Sequence, residues 1–222
     1  MKIYIAIILF AFLLILTGCT KTFNDVDKYN EFVKGENSPF RKTIERDGVR
    51  LVLTYLPAES VMTNELKDYQ EKIKSNKNPD EIRKQKEELE KSKQVYDNSI
   101  YFLLNLSYTD SGRDIVYEKL KLGRNVYSEW LEKLLFDLKK SIQLKSSEGM
   151  EIPLSLYHFD RTFEMQRDRN FLLSFSKKFN EKTLDLEKTD WIRVKIKEFG
   201  LRIGSVNFKF DLPFEEINLK LN

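Results

Sequence analysis

The chain has 222 residues, with 38 Lys and Arg against 35 Asp and Glu, a formal net charge of +3, one His and one Cys. That balance argues against a nucleic-acid role, which needs a strong basic excess on one face, and a single His with a single Cys cannot supply the ligands of a typical zinc site. At 41% hydrophobic and 13% aromatic residues there is apolar material for a sizeable core, and the length suits one domain with room for an insertion.

Lys2 is followed by an apolar run from Ile3 to Leu16 and then by Thr17, Gly18 and Cys19. A membrane span needs about 20 apolar residues; this run is shorter and is followed by a lone Lys21 instead of a basic stop-transfer cluster. A positive start, an apolar middle and small residues before a cleavage point describe a secretory signal. Leu16-Thr17-Gly18-Cys19 resembles the lipobox of bacterial lipoproteins. The resemblance implies that residues 1–18 are a signal peptide, that the Cys19 thiol receives a diacylglyceryl unit, and that two or more acyl chains hold the protein firmly on its membrane. In the sorting scheme of such lipoproteins an aspartate after the cysteine marks the inner membrane. Thr20 stands there, which implies the outer membrane, and the lack of an acidic cluster in Thr20–Asn24 implies its periplasmic face. With Cys19 acylated no thiol remains, so core packing alone must hold the mature fold.

Residues 19–40 read as the lipidated cysteine and a tether. The spacing of Val26, Tyr29 and Val33 suits one short amphipathic helix, which either packs the tether on the domain or binds a partner. Residues 41–222 read as a β-domain. Asp47-Gly48 between Arg41–Arg46 and Val49–Tyr55 predicts a hairpin, because Gly accepts positive φ without steric cost. From about 61 to 97 the composition turns to Lys, Glu, Gln and Asn. Asn78-Pro79-Asp80-Glu81 predicts a helix start, and the stretch reads as two helices, roughly 61–74 and 79–97, forming an inserted hairpin. Ile82, Leu89 and Tyr96 make a narrow apolar stripe that serves either a partner groove or the hairpin's own packing.

Beyond Asn98 the apolar period becomes two, and Ile100, Phe102, Leu104 and Leu106 share a face. The stretch 126–145 is ambiguous. Trp130, Leu134, Leu135 and Leu138 suit a helix, whereas Leu134, Phe136 and Leu138 suit a strand that runs on through Ile142; the turn at Ser146–Gly149 favours the strand. Ile152–Phe159, Asn170–Phe175, Ile192–Ile196 and Val206–Leu212 complete the strands. The expected fold is mainly β, α+β overall: an antiparallel β-sandwich or partly open barrel with an inserted helical hairpin.

Chemistry is sparse. His158 precedes Asp160, but no Gly-x-Ser-x-Gly elbow accompanies them, and phosphate-loop, dinucleotide and calcium-loop spacings are missing. Tyr157, Phe159 and Arg161 crowd aromatics beside a cation, either as a ligand surface for a sugar or protein, or as core filling. The whole chain resembles small envelope lipoproteins of Bacteroidota-type bacteria that lack an assigned activity. The expectation is therefore a membrane-anchored, non-enzymatic interaction or assembly module, without metal or cofactor, with an envelope protein partner and membrane contact through acylated Cys19. Glycan binding or processing and carriage of a hydrophobic ligand are the alternatives.

Overall fold

The computed structural model describes residues 20–75, 78–110, 112–159 and 168–221. Residues 1–18, expected to be a signal peptide, and Cys19, Asp160, Arg161 and Phe163 lie outside the described residues. Strand β1 (Lys21–Phe23) and helix α1 (Val26–Lys34) precede β2 (Arg41–Arg46) and β3 (Val49–Leu56). The β2–β3 turn has Asp47 at φ 51 and Gly48 at φ 77, the paired positive angles of a two-residue hairpin. A single turn, α2 (Ala58–Val61), leads into α3 (Thr63–Ser75) and α4 (Pro79–Tyr96). As expected, the Asn78 side chain caps α4 by accepting from the Asp80 N–H at 3.1 Å, with Pro79 in the first turn, where its missing N–H costs nothing.

After β4 (Ser99–Tyr108), a 3-10 turn (Tyr117–Leu122) meets α5 (Arg124–Glu132), which continues through a π turn (Lys133–Asp137) and a 3-10 turn (Leu138–Ser141) into β5 (Ile142–Ser146). Here the strand expectation for 126–145 is corrected: only its last residues are extended. Trp130, Leu134 and Leu138 are buried while Phe136 is 68% exposed, so burial recurs every four residues, the spacing of one helix face. Then come β6 (Glu151–Pro153), β7 (Leu156–Phe159), β8 (Arg169–Ser176), the short pair β9 (Lys178–Phe179) and β10 (Lys182–Thr183), β11 (Trp191–Ile196), β12 (Val206–Asp211) and β13 (Ile217–Leu219).

Nine of the strands form two open antiparallel sheets, ordered β2-β3-β4-β8-β7 and β12-β11-β5-β6, while β1 pairs with β13 in parallel and β9 with β10 antiparallel as separate two-stranded ladders. Alternation decides what lies between them. Leu51, Leu53, Phe102, Leu104, Phe171 and Leu173 from the first sheet join Leu144, Ile192, Val194, Phe208 and Phe210 from the second in one buried core. Phe102 meets Phe175 at 6.0 Å and Phe210 at 5.3 Å between ring centres, so aromatic side chains fill the space between the sheets. Burying each contributes about 1.5–3 kcal/mol.

The apolar run Ile152–Phe159 is not one strand. Ile152 pairs with Leu144 in one sheet and Tyr157 with Leu173 in the other, so the chain changes sheet at Leu154-Ser155. Pro153 sits on edge strand β6, where a missing donor is tolerated.

The outer face of the five-stranded sheet carries a third layer. Tyr29, Val33, Phe40 and Leu56 form a second buried cluster, with Phe23, Tyr101, Leu103 and Leu172 packed against it. The helix expected at Val26–Val33 therefore packs on the domain. The stretch read as a tether is folded from Lys21 onward, which moves the domain boundary from 41 to 21.

Candidate interaction groove

The hairpin leans on the domain through α3. Asn30 donates to the Thr63 hydroxyl at 3.1 Å, Lys67 pairs with Asp27 at 2.6 Å, and Gln70 donates to Asp25 at 3.2 Å. Asp25 also caps α1, accepting from the N–H groups of Asp27 and Lys28. The backbone bond from Lys28 leads the effects that hold its carboxyl below the usual value.

Against this frame the stripe Ile82, Leu89 and Tyr96 is half-buried and faces α3 instead of open solvent. The Tyr96 hydroxyl donates to Glu65 on α3 at 3.1 Å, and its ring lies 6.1 Å from Tyr101 on the sheet. Burial first, and then the Glu65 charge, push the Tyr96 phenol up. Tyr96 is thus a clasp between hairpin and domain. Ile82 shares a shallow polar hollow with Lys72 and Ser75 near the hairpin tip.

Leu89 does something else. It lines a groove of about 360 Å³, with Met62, Leu66 and Tyr69 on one wall and Leu219 and Leu221 on the other. The floor is apolar. Lys86, Glu90 and Lys220 stand at the margin, and Lys93 bridges Glu59 at 3.4 Å and Asp97 at 3.0 Å. An apolar floor with a charged rim is the anatomy of a small protein-binding patch, and a groove beside a helix suits an inserted apolar side chain or short amphipathic segment. The sequence pointed to Leu89 but not to Leu219 and Leu221, because a three-residue strand leaves no periodic trace.

The second candidate surface resolves differently. Tyr157 and Phe159 are half-buried against the main core, and the Phe159 ring stacks on Phe171 at 4.7 Å. They pack at the core edge and, with Leu135 and exposed His158, also line an open hollow of about 550 Å³. Arg161, the third residue of that expected surface, lies outside the described residues. Among the described residues no three His, Cys, Asp or Glu side chains converge as metal ligands would.

Two polar constellations went unread in the sequence. Asp114 accepts from the N–H groups of Val116 and Tyr117 at 2.7 and 3.0 Å and takes the buried guanidinium of Arg169 on its other oxygen. The Glu198 carboxylate accepts from the N–H groups of Gly200, Leu201, Arg202 and Gly204 at 2.6, 2.7, 3.0 and 2.7 Å. Both acids are consumed in tying loops, which is a structural use of charge.

No family model matches the chain, and no curated protein does. Two solved structures are distantly similar. One is a DUF4426 family protein from Pseudomonas aeruginosa PAO1, with 8% identity, a TM-score of 0.36, and coverage of 80% of this chain and 98% of that one. The other is a novel protein of unknown function from Burkholderia pseudomallei K96243, with 10% identity, a TM-score of 0.33, and coverage of 84% and 81%.

Proposed function

We propose that this chain is an outer-membrane lipoprotein, anchored through acylated Cys19 on the periplasmic face, that works as a non-enzymatic interaction or assembly module for an envelope protein. The lipobox-like Leu16–Cys19 supports the anchoring. The groove between α3, α4 and β13 supports the binding role, and it is the observation that carries the proposal: an apolar lining that includes half-buried Leu66, Leu89, Leu219 and Leu221 opens beside the charged side chains of Lys86, Glu90 and Lys220. Anchoring on a shared membrane raises the effective concentration of module and partner, so a groove of this modest size suffices for a specific contact.

The test is one double variant. Leu89→Ser with Leu221→Ser removes apolar floor from both walls while leaving the Tyr96–Glu65 clasp intact. Crosslinking in the native host followed by tagged purification should lose a stoichiometric envelope partner in this variant, with unchanged circular dichroism. Retention of the same partner in the same amount would remove the groove from the proposal.

A further inference from the structure

We infer that, given the anchoring proposed above, the domain has no spacer and sits directly on the lipid surface by the edge where β1 begins, with the helical hairpin directed away from the bilayer. The reasoning starts from chain length. The first ladder residue is Lys21, paired with Ile217, so Thr20 alone separates it from Cys19. Two residues span at most about 7 Å, and the polar layer on each side of a bilayer is about 5–8 Å thick. The connection is no longer than the headgroup layer is deep.

Nor can this end swing free. Lys21 pairs with Glu215 at 3.6 Å, its ammonium lies 4.2 Å from the centre of the Phe32 ring, and the Thr20 hydroxyl reaches Glu216 at 3.5 Å. The edge that meets the lipid is therefore formed by Thr20, Lys21, Glu215 and Glu216. Its charges are mixed, so the acyl chains supply the hold and salt should affect it little.

Direction follows from the packing. Chain β1 leaves the anchor, and α1 returns, bringing Phe32 back beside Lys21. Helix α3 then runs against α1, because Thr63 meets Asn30, Lys67 meets Asp27 and Gln70 meets Asp25. It therefore travels in the same sense as β1, away from the lipid. Gln70 is level with Asn24 and Asp25, and the five residues from there to Ser75 advance about 7.5 Å more, which carries the hairpin tip beyond the level of Asn24. Because β13 runs parallel to β1, with Phe23 beside Leu219, the Leu219–Leu221 wall of the groove also lies at the end remote from Cys19. A partner would reach it from the aqueous side.

The experiment uses the full chain, expressed and acylated in bacteria and recovered from membranes. With Cys19 acylated, a thiol introduced as Glu215→Cys or Arg83→Cys is the single free one, because the chain has one natural cysteine. Each is nitroxide-labelled and placed in phosphatidylcholine vesicles carrying a nickel-chelating lipid. Relaxation enhancement by surface nickel should be several-fold stronger at 215 than at 83, and a Gly/Ser linker inserted after Thr20 should erase that difference. Equal enhancement at both positions on acylated protein overturns the seating alone. An intact mass showing unmodified Cys19 overturns the anchoring on which the seating rests.

Discussion

The carbonyl of Phe23 accepts the backbone N–H of Lys220 at 2.8 Å, which stitches the first strand of the domain to its last. The Phe23 ring is the side-chain half of that join, lying 5.7 Å from Tyr29 and 5.4 Å from Phe32. Phe23→Ala should cost about 2–3 kcal/mol, somewhat under the range for a fully buried Phe, and lower the melting temperature by about 5–10 °C. A melting temperature within a degree of wild type would mean that the β1–β13 join does not contribute to the fold.

Local signals in the sequence were faithful wherever one residue type does one physical job. Gly48 permits a turn, Asn78 caps a helix, and Ile192, Val194 and Ile196 alternate because one face is buried. The reading failed where two periods overlapped: Leu134, Phe136 and Leu138 mimic a strand, and only the exposure of Phe136 exposes the four-residue repeat of Trp130, Leu134 and Leu138. It also failed where tertiary pairing overrode a continuous run, as at Leu154-Ser155, and where partners lie far apart in the chain. The groove shows both sides of this: Leu89 stands in a visible stripe, whereas its neighbours Leu219 and Leu221 are brought there by pairing with β1.

Arg169 on β8 is buried and its charge is met by Asp114, with the guanidinium 5.6 Å from the Tyr117 ring centre. Removing one partner of a buried pair strands the other charge, at about 3–5 kcal/mol. Arg169→Met should show that loss in chemical denaturation, and Asp114→Asn added to it, which removes the stranded charge but keeps the oxygen that accepts from Val116 and Tyr117, should recover part. A loss under about 1 kcal/mol would place the pair in solvent.

Gly200 has φ 122, and a Cβ there would lie 2.8 Å from Cζ3 of Trp130. Trp130 in turn stacks on Phe199 at 5.8 Å. Gly200→Ala therefore combines backbone strain with a clash against a buried ring, and should destabilise by about 1–3 kcal/mol. Trp130 fluorescence, followed in a Trp191→Phe background, should shift with it. A neutral substitution would contradict the contact between α5 and this loop.

Burial pushes the Glu198 carboxyl up, but the N–H groups of Gly200, Arg202, Gly204 and Leu201 together pull it further down, leaving it below its ordinary 4.5. A carboxyl depressed in the folded state contributes stability that is present above the unfolded value and lost as pH falls through the folded one. The stability difference between wild type and Glu198→Gln should thus be flat at neutral pH and shrink only below about pH 4.5. A difference that grows on acidification would reverse the sign of the shift.

The proposed anchoring rests on one atom, the sulfur of Cys19. Intact mass spectrometry of the protein taken from the membrane fraction of its own host should give a chain that begins at Cys19 and carries a diacylglyceryl unit with a further acyl group. A chain that retains residues 1–18, or a mature chain with a free thiol at Cys19, would contradict it.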